Sequence, residues 1–222
     1  MKSHIKKGST IIILNMLAFV MTSAIYAKGD GYVKDGTYLG VFFTKNNMSG
    51  DFDDTEYLYG SMEINDVPYV DNDTGFGFVL GGRVADGAVE FGYQRSKHKT
   101  NSILFGESEA SYNVIDFNCK FDVFAQKRIR PYILFGFGIP WLTVEDGMMD
   151  LYPPEEEGIR DETFIGFALN AGCGLAYYFH PQWAITGGVI KRWNWFTLAE
   201  GDAIDDLSEK TFCLNIGIAY TF

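Results

Sequence analysis

The chain has 222 residues, 47% of them hydrophobic and 16% aromatic, with 25 glycines, only 6 prolines and a formal net charge of −11. That charge is the wrong sign for a nucleic-acid binder, and three cysteines at scattered spacing (Cys119, Cys173, Cys213) make neither a disulfide framework nor a zinc signature. The length suggests one to two domains, and no Pro/Ser-rich linker or composition shift divides the chain.

The N-terminus sets the compartment. Lys2, Lys6 and Lys7 form a basic region, Ile11 to Met21 an apolar one interrupted by Asn15, and Ser23, Ala24 and Ala27 a small-residue end. This is the pattern of a secretory signal peptide over residues 1–27, with cleavage expected after Ala27. An uncleaved anchor is the competing reading, but the apolar run of about eleven residues falls short of the ~20 that span a bilayer. Losing the leader removes three lysines and no acids, which takes the formal charge from −11 to about −14. The rest, residues 28–222, reads as a single domain.

Eight strand-like segments follow, with connections that alternate between long and short. The first, Gly36 to Thr44, leads into a long connection, Lys45 to Thr74. The second, Gly75 to Ala85, meets the third, Ala88 to Ser96, across an Asp86–Gly87 turn. A medium connection, Lys97 to Ala110, precedes the fourth, Ser111 to Phe124. A short turn through Gln126 to Arg128 leads to the fifth, Ile129 to Val144, and then to the acidic stretch Glu145 to Glu162. The sixth, Thr163 to Phe179, turns at His180–Pro181–Gln182 into the seventh, Trp183 to Thr197. After Leu198 to Glu209 comes the last, Thr211 to Phe222.

Within these segments the side chains alternate, because successive residues of a strand point to opposite faces. The Asp-Gly pair favours a two-residue hairpin turn. With that turn, Arg83 is expected opposite Glu90, and Phe91 over Gly82. The apolar face then carries Phe76, Phe78, Leu80, Val84, Val89, Phe91 and Tyr93. The other carries Gly77, Val79, Gly81, Arg83, Glu90, Gly92 and Gln94. In the fourth segment Ile115, Phe117, Cys119, Phe121 and Val123 oppose Asp116, Asn118, Lys120 and Asp122. The sixth sets Ile165, Phe167, Leu169 and Leu175 against Gly166, Asn170, Gly172 and Gly174. Glycine on a wet strand face only weakens the strand, whereas inside a narrow barrel it makes room for large or charged neighbours. Trp183, Tyr177 and Phe179 are placed in a periplasmic girdle, and Trp193 and Trp195 near an outer one. Cys119 and Cys173 fall on the lipid face and Cys213 inside. Lys191 falls on the lipid face too, a misfit that calls for a bulge, a shifted parity or snorkelling.

The last segment places Phe212, Leu214, Ile216, Ile218, Tyr220 and Phe222 on one face, aromatics at its ends and aliphatics between. Period 2 over about twelve residues is long for a soluble strand and right for a tilted membrane-spanning one. A half-buried edge of a soluble sandwich fits this segment equally well by itself. The ending resembles the assembly signal of bacterial outer-membrane β-barrels; the matching residues are Phe222, Tyr220, Ile218, Ile216 and Leu214, and the resemblance implies the barrel assembly machinery as a partner. The stretch Arg130-Pro131-Tyr132 into Phe135-Gly136-Phe137-Gly138 looks like the fifth strand of the OmpA-like/OmpX-like eight-stranded barrels. So does Gly172 to Phe179 followed by Pro181-Gln182-Trp183 and Gly187-Gly188. The resemblance spans nearly all of the mature chain, with no peptidoglycan-binding domain expected after the last strand. The expected fold is therefore all-β: an eight-stranded antiparallel up-and-down transmembrane β-barrel in the bacterial outer membrane, monomeric, among outer-membrane lipids and lipopolysaccharide.

An eight-stranded barrel is just wide enough to fill with side chains. Arg83, Glu90, Asp116, Lys120, Asp122 and Arg192 are expected to fill this one as mutually paired charges; a narrow ion or water channel is the alternative. The long connections are acidic, with Asp51, Asp53, Asp54, Glu56, Glu63, Asp66, Asp71 and Asp73 in the first. Glu145, Asp146, Asp150, Glu155, Glu156, Glu157, Asp161 and Glu162 follow in the third, and Glu200, Asp202, Asp205 and Asp206 in the fourth. Only the second, with Lys97, His98 and Lys99, is basic. Tyr57, Tyr59, Tyr69, Met148, Met149, Leu151 and Tyr152 interleave with the acids, which suits a surface-interaction role through an unidentified extracellular ligand as well as simple solvation. The Asp51 to Glu56 run lacks EF-hand spacing, so no metal site and no cofactor are expected. Catalysis is not expected either. The rival is a barrel enzyme acting on lipid A or surface peptides, for which His98 with Ser96 and Glu107 or Glu109 is the one arrangement on offer.

Overall fold

The computed structural model describes residues 32–50, 69–70, 73–84, 86–102, 106–124, 127–144, 162–200 and 207–222. The leader and most of the acidic connections, residues 51–68, 145–161 and 201–206, lie outside these.

Nine strands are present among the described residues: β1 (Gly36–Gly50), β2 (Tyr69–Val70), β3 (Asp73–Val84), β4 (Gly87–Ser102), β5 (Gly106–Asp122), β6 (Ile129–Val144), β7 (Glu162–His180), β8 (Trp183–Glu200) and β9 (Leu207–Thr221). Eight of them form a closed antiparallel barrel in which each strand pairs with its chain neighbour, and β9 closes on β1 from Tyr38↔Thr221 to Gly50↔Glu209. The two-residue β2 lies within the first long connection and adds to the outer end of β4, Tyr69 opposite Asn101. Closure removes every free sheet edge, which a structure surrounded by hydrocarbon requires.

The eight expected segments are all present, and the strands run further outward than expected. β1 continues six residues past Thr44 to Gly50. The medium connection expected over 97–110 is mostly strand, since β4 and β5 pair as far as Ser102↔Gly106. Ser96 and His98 point inward here and Lys97, Lys99 and Glu109 outward, so strand pairing extends beyond the apolar pattern that identified it. The expected register of the Asp86–Gly87 hairpin is corrected. Val84 pairs with Gly87, Arg83 lies opposite Ala88, and Gly81 lies opposite Glu90. Phe91 accordingly faces Leu80 rather than Gly82. Packing overrides the turn preference: a Cβ at Gly81 would lie 2.3 Å from the Tyr38 ring, so the glycine opposite Glu90 is the space that the tyrosine fills. The slip leaves each residue on its expected face, because the side-chain period is 2.

The outward face is apolar on all eight strands. Phe43, Phe76, Leu175, Leu214, Ile216 and Phe222 are each more than half exposed, the reverse of a soluble core. Aromatic rings run across neighbouring strands of this face, Phe117 to Phe137 at 5.3 Å, Phe137 to Phe167 at 6.3 Å and Phe167 to Trp195 at 6.5 Å. At the turn end Trp183 and Tyr220 lie 4.8 Å apart, with Phe222 5.1 Å beyond. Cys119 and Cys173 face outward and Cys213 inward, all free. Lys191 stays on the outer face without a bulge at its position, paired with Ala171 and Phe212. Its ammonium lies 5.3 Å from the centre of the Trp193 ring, two residues nearer the outer end, so the side chain snorkels.

Candidate functional site

The barrel interior holds the densest chemistry among the described residues. Eight charged side chains are buried there, four cations (Arg83, Lys120, Arg130, Arg192) and four anions (Glu90, Asp116, Asp122, Glu209). Burying an unpaired charge is prohibitive, and the interior groups form three tiers of partners.

At the turn end, Arg83 donates to Asp122, and Arg130 donates to the same carboxylate at 3.4 Å. Both guanidiniums lie over the Tyr178 ring, at 5.5 and 5.2 Å. One tier outward, Glu90 accepts from the Tyr38 hydroxyl and from Lys120 at 3.3 Å, and the Lys120 ammonium stands 4.0 Å over the Tyr132 ring. Tyr132 fits because Gly174 and Gly188 oppose it; a Cβ on either would lie 2.5 Å from its hydroxyl oxygen. At mid-height, Arg192 donates to Asp116 at 2.7 Å and to the Asn170 amide oxygen at 3.0 Å, while Asn170 donates to Asp116 at 2.9 Å.

Further outward the hydrogen-bond partners are neutral side chains around Glu209 and His98. Gln94 donates to Asn46 at 3.0 Å, Asn46 to Ser96 at 2.8 Å, and Ser96 meets the His98 ring nitrogen at 2.8 Å. Glu209 accepts from Asn194 and, at 2.8 Å, from Thr211.

Apolar collars lie at both ends. Met48, Tyr112, Val114, Leu142, Phe164 and Phe196 cluster inside the outer end. At the turn end, Val33 from the segment before β1 packs against Ala176, Tyr178 and Ala184. Between the collars lies a cavity of about 90 Å³, bordered by Glu90, Asp116, Lys120, Tyr132 and Asn215. Three buried polar atoms in this region have no hydrogen-bond partner within the protein: Arg83 Nε, Asp122 Oδ1 and Asn215 Oδ1.

All six expected interior charges are therefore inside and paired, though Arg83 pairs with Asp122 and not with Glu90. Three participants escaped the sequence reading. Arg130 lay within a motif read for its glycines and aromatics. Glu209 was assigned to a connection but begins the inward face of β9. Tyr38 has no charge to mark it. His98 is also corrected: it points inward from β4 and is buried, whereas a solvated connection was expected. Its Ser96 contact exists, but Glu109 lies on the outer face, 63% exposed and held by Lys97 at 3.0 Å. The side chain of Glu107 lies outside the described residues, as do the clustered acids of the long connections apart from Asp73, which begins β3. Among the described residues no group of three or more His, Cys, Asp or Glu is arranged to hold a metal.

With the fold and its interior established, the comparisons with known proteins give its affiliation. The family model of the outer membrane protein beta-barrel domain matches residues 11–222. The structure is similar to that of Neisserial surface protein A, with a TM-score of 0.57 and 14% identity over 84% of this chain and 97% of that one. It is also similar to the outer membrane protein AlkL in lipid bilayers, with a TM-score of 0.55 and 20% identity over 88% and 94% of the two chains. OprG of Pseudomonas aeruginosa gives 0.51 and 15% over 87% and 99%. At these identities the likeness is one of fold. The comparison with curated protein sequences found no match. The chain belongs to the outer-membrane β-barrel family, and its place is the bacterial outer membrane.

Proposed function

We propose that this barrel is a sealed, non-conducting and non-enzymatic surface protein that acts through its extracellular connections. The observation that supports this most is the interior: four cations held by Asp122, Glu90 and Asp116, Glu209 held by Asn194 and Thr211, apolar collars at both ends and about 90 Å³ of cavity between them. A solute path would need a continuous polar lumen. Here the outer collar puts Phe164, Phe196 and Leu142 across it. What reaches the outside is then the set of acidic connections, where Tyr57, Tyr59, Met148, Met149 and Tyr152 interleave with the acids. That mixture suits a polar, adaptable binding surface better than solvation alone. The leader would export the chain, the terminal Phe222 strand would engage the assembly machinery, and the barrel would stand in the membrane as a monomer.

The experiment has two arms. Purified barrel in planar bilayers should show no stepwise conductance. Pull-down or adhesion assays should lose binding when residues 51–66 and 146–160 are replaced by short linkers. Discrete conductance steps would overturn the sealed reading in favour of a narrow water or ion path. That second reading has one observation in its favour, the interior cavity with the unpartnered Asn215 Oδ1 at its border. Lipopolysaccharide incubated with the barrel should return unmodified by mass spectrometry; cleavage that fails on His98→Ala would restore an enzymatic role.

A further inference from the structure

Three lysines occupy the lipid-facing side of three consecutive strands: Lys45 on β1, Lys210 on β9 and Lys191 on β8. The pairing fixes their mutual placement. Leu214 lies level with Lys45 on the neighbouring strand, Phe212 with Lys191, and Trp193 with Lys210. All three are exposed on the outer face, Lys45 and Lys210 in the half of the barrel towards the long connections and Lys191 near mid-height. Among the described residues none of them forms an ion pair with a carboxylate. The arc of β5, β6 and β7 offers no such group at its outer end, where the outward residues include Asn113, Ile115, Ile139, Trp141, Ile165 and Phe167.

This distribution is hard to attribute to solvation. The chain carries a net charge of −11, and an ammonium on the lipid face is costly at mid-membrane and close to neutral only where it reaches the interface. Lys191 already bends outward over Trp193. Anionic head groups at that depth would turn the cost into attraction.

Directly below the lysines is a concavity of about 1030 Å³, with Lys45 on its rim. Phe43, Phe76, Leu175, Leu214 and Ile216 line it. Its floor is Gly187, which points outward from β8 between Leu175 and Ile216. A Cβ there would meet nothing nearer than the Asn215 carbonyl at 3.9 Å, so no packing demands glycine at this place. A residue free to carry a side chain but lacking one leaves a notch in an otherwise continuous apolar wall.

We propose that this face is a lipid A site: the lysine triad holds the phosphates of the outer-leaflet glycolipid, and the notch over Gly187 seats an acyl chain. Of the amphiphiles a bilayer offers, lipid A best matches three cations spread over three strands, since it carries two phosphates on one head group. Phosphatidylethanolamine and phosphatidylglycerol present one each. The assignment rests on the outer-membrane location, not on the role of the connections, so it stands or falls separately from the surface-interaction reading.

The test uses the full-length folded barrel in phosphatidylcholine nanodiscs, with diphosphoryl lipid A, monophosphoryl lipid A and phosphatidylglycerol as probes and native mass spectrometry as the readout. The wild type should retain diphosphoryl lipid A in preference to the other two. Lys45→Gln, Lys191→Gln and Lys210→Gln combined should lower that retention on the order of a hundredfold, since each cation near a membrane surface contributes roughly a factor of five. Gly187→Leu keeps all three lysines and should lower it about tenfold by filling the notch. Lys97→Gln, a lysine held by Glu109, should change nothing. Heat-dependent gel mobility reports that each variant is folded. Equal retention by wild type and the folded triple variant would overturn the proposal. Preference for phosphatidylglycerol would overturn the choice of lipid, and a second copy of the chain in place of lipid would overturn the assignment of the notch.

Discussion

Replacing Asp116 by Asn tests whether the interior is sealed. The side chain keeps its shape, but Arg192 loses its only anionic hydrogen-bond partner at 2.7 Å and remains a fully buried cation among neutral groups, Asn170, Tyr112 and Cys213. Breaking one partner of a buried pair costs about 3–5 kcal/mol. The cavity bordered by Asp116 has a volume of about 90 Å³, room for about three waters at roughly 30 Å³ each, which softens the loss. The expected destabilisation is therefore about 3 kcal/mol, the lower end of that range. Arg192→Met should cost about the same, by leaving Asp116 without its cation. The double variant removes both charges and should recover to within about 1 kcal/mol of the wild type, a coupling that no sum of independent effects produces. Urea unfolding from lipid vesicles, followed by tryptophan fluorescence and checked by heat-dependent gel mobility, measures all three. A loss below about 1 kcal/mol for each single variant, with no recovery in the double, would mean that water already screens the pair. The sealed interior would then be wrong, and a conducting path would replace it.

Four further outcomes follow from the structure. Arginine at Ile216 or Leu169, both on the lipid face, should cost roughly 2–4 kcal/mol near the bilayer midplane by the same urea assay; tolerance equal to that of a connection residue would deny that face a bilayer. Gly81→Val should cost about 1–3 kcal/mol, because its Cβ would lie 2.3 Å from the Tyr38 ring, and Tyr38→Ala should relieve part of the cost. Deleting Phe222, which lies 65% exposed beside Tyr220, should lower the amount in the outer membrane without blocking export, as read by fractionation; unchanged levels would remove it from the assembly signal. Millimolar calcium should leave protease cleavage within residues 51–68 and 145–161 unchanged, since ordering such segments costs about 1–2 kcal/mol per residue; protection that disappears on neutralising the acids would establish a cation site.

The architecture was legible because the bilayer imposes a simple rule on alternate residues. Wherever a strand crosses hydrocarbon, one face must be apolar, and the segments of β6 and β7 show that rule so clearly that their limits were placed within one residue. The rule fades where the strands leave the membrane. At the outer ends of β4 and β9 both faces carry polar residues, so His98 looked solvated and Glu209 looked like part of a connection. Both instead belong to a polar inner wall that continues above the membrane. The misplaced hairpin register has another origin. Turn propensity and cross-strand charge pairing both favoured Arg83 opposite Glu90, but the decisive contacts come from Tyr38 and Asp122, on strands that a two-strand argument does not contain.

The same geometry constrains where function can reside. Each interior charge is held by partners on other strands, and Tyr38 and Tyr132 fill the space that Gly81, Gly174 and Gly188 leave. Neither a charge nor a ring can move without disturbing a second strand, so the inner wall is a stiff support and a poor place for a moving gate. Chemistry that meets the outside must then sit on surfaces that this packing leaves free. Among the described residues that surface is the outer wall itself. On that wall, cations, apolar groove and exposed glycine coincide on β1, β9 and β8, while a run of aromatics crosses β5, β6 and β7 and reaches Trp195 on β8. A barrel required only to sit in a membrane gains nothing from such asymmetry. An even apolar belt would insert as well, and a lysine within it only raises the cost of insertion. The two arcs therefore meet different neighbours, hydrocarbon alone on the aromatic side and a charged amphiphile on the lysine side.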